Sequence, residues 1–130
     1  MVDTSIYKDL ASHQGEDMRI IFTATGPDWD ALIDPRFGRT DYILLYDEEK
    51  DELSSIDNRE IMEVAHGAGP KTAQKIHELN PDVLITGNGP GGNAASILGQ
   101  MKIKIYIKAG GKSIRDAYNS FKNNELILGG

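Results

Sequence analysis

Residues 82–107 read DVLITGNGPGGNAASILGQMKIKIYI, and this stretch decides the fold. Residues 82–86 (DVLIT) are a short apolar run, continuous rather than alternating, as strands buried on both faces are. The glycine loop Gly87-Asn88-Gly89-Pro90-Gly91-Gly92 follows. Residues 93–100 read as a short helix and residues 103–107 as the next strand. A strand joined to a strand through a helix is a right-handed crossover between parallel neighbours.

Working outward, residues 70–79 read as a helix, with Pro70 at its first position and Ala73, Ile76 and Leu79 on one apolar face. Asn80-Pro81 ends it. Further upstream lie three strands with short connections: 18–24 (MRIIFTA), 41–46 (DYILLY) and 53–58 (LSSIDN). The third alternates weakly, as an edge strand does. Downstream, Ser113 with Asp116 three residues on marks the start of a last helix carrying Ile114, Ala117, Tyr118 and Phe121. The tail from Leu126 carries no signal. The order β-β-β-α-β-α-β-α describes a mixed sheet, an antiparallel meander followed by a parallel half, covered by helices. Ligands on such sheets sit outside the carboxyl ends of the strands. Here that rim collects Thr25-Gly26-Pro27, the glycine loop and Lys108-Ala109-Gly110-Gly111.

The chain has 130 residues, one domain's worth, and no cysteine. Disulfides, thiolate zinc sites, clusters ligated by the chain's own thiolates and cysteine nucleophiles are excluded together. Fourteen Lys and Arg stand against twenty Asp and Glu, a formal charge of −6. An acidic chain with no basic block is poorly made to grip a phosphate backbone, so no nucleic-acid partner is expected. No stretch approaches the ~18 apolar residues of a membrane span, and residues 1–17 lack the apolar run of a signal peptide. The expectation is a cytoplasmic protein with an N-terminal extension at 1–17, where Ser5 is placed to cap a short helical turn with Ile6 and Leu10 but the segment reads mostly as an extension, and a single α/β domain at 18–130. Met18 is a candidate natural start.

Each candidate motif has a plainer reading. Gly87, Gly89 and Gly92 spell the dinucleotide fingerprint between a strand and a helix. However, Pro90 removes an N–H from the cradle, and Lys112 stands where the ribose needs an acid. The alternatives are a tight turn, or N–H groups at a helix start holding another anion. Gly111-Lys112-Ser113 resembles the end of a phosphate loop, but Tyr106 occupies the place of its first glycine, leaving a lysine beside a helix cap. Asp28, Asp30 and Asp34 do not make a calcium loop, since Ile33 and Arg39 replace the required Gly and Glu. His13 lies in the extension and His77 on a helix surface, whereas His66 precedes Gly67-Ala68-Gly69-Pro70 at a helix start. Arg36-Phe37-Gly38-Arg39 is either a set of surface ion pairs or a cationic lip for an oxyanion or sulfido anion.

Taken together, MRIIFTATG, DPRFGRTDYILLYD, the segment from His66 to Ile107 and SIRDAYNSFKNNEL resemble the dinitrogenase iron–molybdenum cofactor biosynthesis family, over residues 18–128. The resemblance implies a ribonuclease-H-like three-layer α/β sandwich with a mixed five-stranded sheet of order 3-2-1-4-5 and helices on both faces. It implies a non-catalytic carrier for an anionic molybdenum- or iron–sulfur-type cluster, with a cluster-assembly or acceptor protein as partner. Where members carry His before Phe-Gly, this chain has Arg36, which shifts the metal-ligand expectation to His66. The implied cofactor-binding set is Arg36, Phe37, Gly38, Arg39, His66, Gly67, Gly87, Asn88, Gly89, Gly91 and Gly92. The competing readings are a small phosphorylated ligand or nucleotide at Gly87–Gly92, and a protein-interaction domain without ligand. A nuclease of the same fold needs carboxylates on its first strand, and residues 19–24 have none.

Overall fold

The computed structural model describes residues 18–60 and 67–129. Strand β1 (Arg19–Ala24) is buried along nearly its whole length because it has a neighbour on each side and helices on each face. It pairs antiparallel with β2 (Tyr42–Asp47) and parallel with β4 (Val83–Ile85). β3 (Glu52–Asp57) closes one edge and is largely exposed, as its weak alternation suggests. β5 (Lys104–Ile107) runs parallel to β4. Helix α1 spans Ala68–Leu79, α2 spans Gly92–Gly99 and α3 spans Ile114–Lys122.

Among the described residues the sheet has six strands, not five, in the order β3-β2-β1-β4-β5-β6. The tail forms β6 (Ile127–Leu128), antiparallel to β5 through Tyr106↔Leu128 and Ile107↔Ile127. Two residues are too few for any periodicity. The strand exists because Asn124, with φ 58°, turns the chain back after α3 onto the open edge of β5.

The period-2 alternation of β1 divides the core. Ile20, Phe22 and Ala24 meet Ile114 and Ala117 of α3 on one face, where Trp29 packs edge-on against Phe22, Tyr46 and Tyr118. Ile21, Ile43 and Leu84 meet Ala73 and Ile76 of α1 and Ala94 and Leu98 of α2 on the other. The three-layer expectation holds. Helix ends differ slightly: α1 begins two residues before Pro70, which costs nothing because first-turn N–H groups have no intrahelical partner. It ends at Asn80 in the left-handed conformation, whose N–H donates to the His77 carbonyl. No helix of the described residues is long and apolar enough to cross a membrane.

Candidate functional site

The carboxyl ends of β1, β4 and β5 share one rim, which also receives the loop entering β2 and the start of α1. Beneath it, two buried threonines, Thr23 on β1 and Thr86 just past the end of β4, form a polar floor. The Thr23 hydroxyl proton is shared between the Asp34 carbonyl (3.0 Å) and Thr86 Oγ1 (2.8 Å). Thr86 donates in turn to the Asn88 carbonyl (3.2 Å). Hydroxyls rather than methyls at these positions fix two loops to the sheet and to each other.

The loop over residues 34–41 is organised by Asp34, which is fully buried. Its Oδ1 accepts from the Arg36 backbone N–H (2.9 Å) and Nε (3.0 Å), and its Oδ2 from Arg36 Nη2 (2.9 Å) and the Asp41 N–H (3.1 Å). Burial alone would raise the Asp34 pKa, but these donors outweigh it and hold the carboxyl below its ordinary value. The same pairing raises the Arg36 pKa. Arg36 Nη2 also reaches Asp41 Oδ1 at 3.4 Å. Of the two readings of the Arg-Phe-Gly-Arg segment, the ion-pair reading describes Arg36: its Nε and Nη2 are committed to carboxylates, and it braces the loop.

Phe37 is 5% exposed and packs with Ala73, Ile76 and Leu98, so its ring anchors the loop from below and is not presented at the rim. Gly38 lies against the start of α1. A Cβ there would stand 2.8 Å from the Gly69 nitrogen, a distance real side chains do not reach. Thr72 donates to the Gly38 carbonyl at 2.8 Å. The fully buried Asn58 donates to the Thr40 carbonyl (3.1 Å) and Thr72 Oγ1 (3.2 Å), and accepts from Lys75 Nζ (2.9 Å). Arg39 is partly exposed on this loop.

The glycine turn meets the same loop from the other side. A Cβ on Gly87 would fall 2.5 Å from Pro35 Cα, and the Asn88 N–H donates to the Pro35 carbonyl at 2.8 Å. Asn88, Gly89, Gly91 and Gly92 are exposed. Helix α2 opens on Gly91 with no side-chain cap and no acid in its first turn. Helix α1 opens likewise on Gly67, at φ 80°. The two starts adjoin, for a Cβ on Gly69 would lie 3.5 Å from Ala94 Cβ. Each helix start leaves N–H groups without an intrahelical acceptor and carries partial positive charge, which favours an anion.

The structure thus brings the 36–39 loop, Gly67 and the 87–92 turn to one place. His66 lies outside the described residues, as do His13, Gly130 and the expected helical turn at Ser5. His77 is exposed on α1, as expected. Among the described residues there is no cluster of three His, Asp or Glu side chains able to hold a metal ion. Sequence reading missed the Thr23–Thr86 floor, the role of Asp34, and the Asn58–Thr72 brace. It also passed over a signal that was available. Residues 83–115 contain no acid and five basic residues, a charge of +5, while the rest of the chain carries twenty acids and nine bases, −11, which together give −6. That acid-free run is β4, α2, β5 and the loop leading to α3.

The apo form of the orange protein from Desulfovibrio gigas is similar, with 32% identity over 86% of this chain and 92% of that one, and a TM-score of 0.80. The Thermotoga protein TM1290, described as belonging to the DUF35 family, matches at 27% identity and TM-score 0.73, over 85% and 92% of the two chains. PH0822, at 21% identity and TM-score 0.65 over 86% and 96%, shares the fold. No curated protein matches. The model of the dinitrogenase iron–molybdenum cofactor family matches residues 18–124, and the chain belongs to that family.

Proposed function

We propose that this chain is a non-catalytic carrier that holds an anionic metal–sulfur cluster, the iron–molybdenum cofactor or a related molybdenum-containing cluster, as cargo at this rim. The observation that carries the reading is the meeting of two uncapped helix starts and the glycine turn at one cysteine-free edge. A cluster that brings its own bridging sulfides needs N–H donors and charge balance rather than thiolates, and the rim offers those. Family membership supports the cargo class. The orange protein's description as an apo form supports it further, since it names a state of that protein without ligand. His66, next to Gly67 at the start of α1, is the proposed metal-contacting residue. Weak ligation suits a protein that passes its cargo to an acceptor protein.

The test is anaerobic titration with tetrathiomolybdate, followed by visible absorbance and metal analysis after desalting. Saturable spectral change with retained molybdenum is expected. An unchanged spectrum and no retained metal would overturn the proposal. Saturable binding of ATP or inorganic phosphate in that case would favour the phosphorylated-ligand reading.

A further inference from the structure

Among the described residues, the non-glycine residues with positive φ are Asp51, Asn80, Lys108 and Asn124. Asp and Asn tolerate that conformation, and here they occupy the β2–β3 turn and the ends of α1 and α3. Lys108, at φ 62°, is the exception. A lysine in left-handed backbone is strained relative to glycine, and such strain gathers at functional sites.

Lys108 is also fixed in place. Its N–H donates to the Gly87 carbonyl at 2.7 Å, and the Ala109 N–H donates to the Thr86 carbonyl at 3.2 Å. A Cβ on Gly110 would lie 3.7 Å from Pro35 Cβ and 3.8 Å from Gly87 Cα. Lys112 accepts from the Ile33 N–H at 2.8 Å through its carbonyl, beside the start of the Asp34 loop. The β5–α3 loop is therefore a third wall of the rim. Lys108 and Lys112 are both exposed, and among the described residues neither has a carboxylate partner, whereas Arg36 is paired twice. The acid-free run places no competing carboxylate within the loop.

We infer that Lys108 and Lys112 make the β5–α3 loop the cationic arm of the site, and that this arm takes a compact, multiply charged inorganic anion while Arg36 only braces its own loop. The inference rests on the cargo reading above and names the cations of the same site.

The test compares tetrathiomolybdate affinity and thermal midpoint for the unaltered protein, Lys108→Gly, Lys112→Ala, the double variant and Lys50→Ala, the last in the β2–β3 turn at the far end of the sheet. Lys108→Gly is expected to keep or raise the midpoint while weakening binding about tenfold, as loss of one charge-assisted contact does. Lys112→Ala is expected to weaken binding by a similar factor, the double variant about a hundredfold, and Lys50→Ala not at all. Normal binding by the unaltered protein and by both lysine variants would overturn the lysine assignment and leave the cargo reading standing. A lowered midpoint in Lys108→Gly with unimpaired binding by Lys112→Ala would also overturn it, by making the role of Lys108 structural. Failure of the unaltered protein to bind would overturn the cargo reading and this inference together.

Discussion

Helices α1, α2 and α3 begin at the same end of the sheet, and they begin in two ways. Helix α3 is closed: the Ser113 hydroxyl accepts the Asp116 N–H at 3.0 Å, and Asp116 places a negative charge in the first turn. Helices α1 and α2 begin on glycines, with no side-chain cap and no first-turn acid. A capping side chain is worth roughly 1 kcal/mol over alanine but only a few tenths over glycine, so the start of α2 leaves a little stability unused, while at Gly67, with φ 80°, any side chain would be strained. The difference follows position. The open starts adjoin each other and the 34–41 loop, while the closed one faces the aromatic cluster around Trp29. What sets them apart is accessibility of N–H groups to an anion from outside, not a rule about helices.

Three experiments break or sharpen this contrast. The largest effect is expected from Gly87→Ala, whose new methyl meets the Pro35 backbone and forces the 34–36 loop off the glycine turn. A loss of about 3 kcal/mol in denaturant unfolding, with loss of anion binding, is the expected outcome. A variant as stable as the parent would show that the contact between the two loops is dispensable.

Asp34→Asn comes next, at about 2 kcal/mol near neutral pH, since it removes the charge on which four donors converge. Its signature is the pH profile. The folded pKa of Asp34 lies below its ordinary value of 3.8. The stabilisation it supplies is therefore complete above that ordinary value and lost as pH falls through the lower, folded one. The gap between parent and variant should shrink in that acid window, as measured by unfolding at a series of pH values. A constant gap would remove Asp34 as its source.

The smallest effect is the most direct, an exchange of the two kinds of helix start. Ser113→Ala should cost about 1 kcal/mol and leave anion binding unchanged. Gly91→Asp should gain a few tenths of a kcal/mol, because Gly91 has extended backbone and open space for a side chain. The same substitution should weaken tetrathiomolybdate binding by closing the start of α2 and adding a negative charge. Tighter binding by Gly91→Asp would contradict the assignment of the open starts to a ligand.

Element order and the α3 cap were legible in the sequence because their signals are local: an apolar run, a glycine turn, a serine three residues before an aspartate. The strand β6 was not, since its two residues pair only because α3 delivers them to the β5 edge. The site was legible in part. Gly38 and Gly87 announced themselves as glycines in loops, but nothing local says that each abuts another backbone. Asp34 stood out only as one of three loop carboxylates that make no calcium loop, and its partner Asp41 is seven positions away. Thr23 and Thr86, 63 positions apart, resembled any β-branched strand residue until the parallel pairing of β1 and β4 set them together. Arg36 read either as a surface ion pair or as part of a cationic lip, and the sequence did not say which carboxylates would take it. Lys108 was placed on the rim by its position after the strand at 103–107, but its left-handed backbone left no trace in composition or period.

The uneven placement of charge has a consequence for how such a molecule meets an anion. The carboxylates of the β2–β3 turn lie at the far end of β2, whose six residues span ~20 Å. In physiological salt the Debye length is ~8 Å, so counter-ions screen that distant repulsion before it reaches the lysine-bearing edge. Of the carboxylates nearer the rim, Asp34 and Asp41 are paired with Arg36 and Asp30 with Arg115, so an overall pI of about 5.0 does not by itself exclude an anionic guest. In dilute buffer the carboxylates of the β2–β3 turn push back as well.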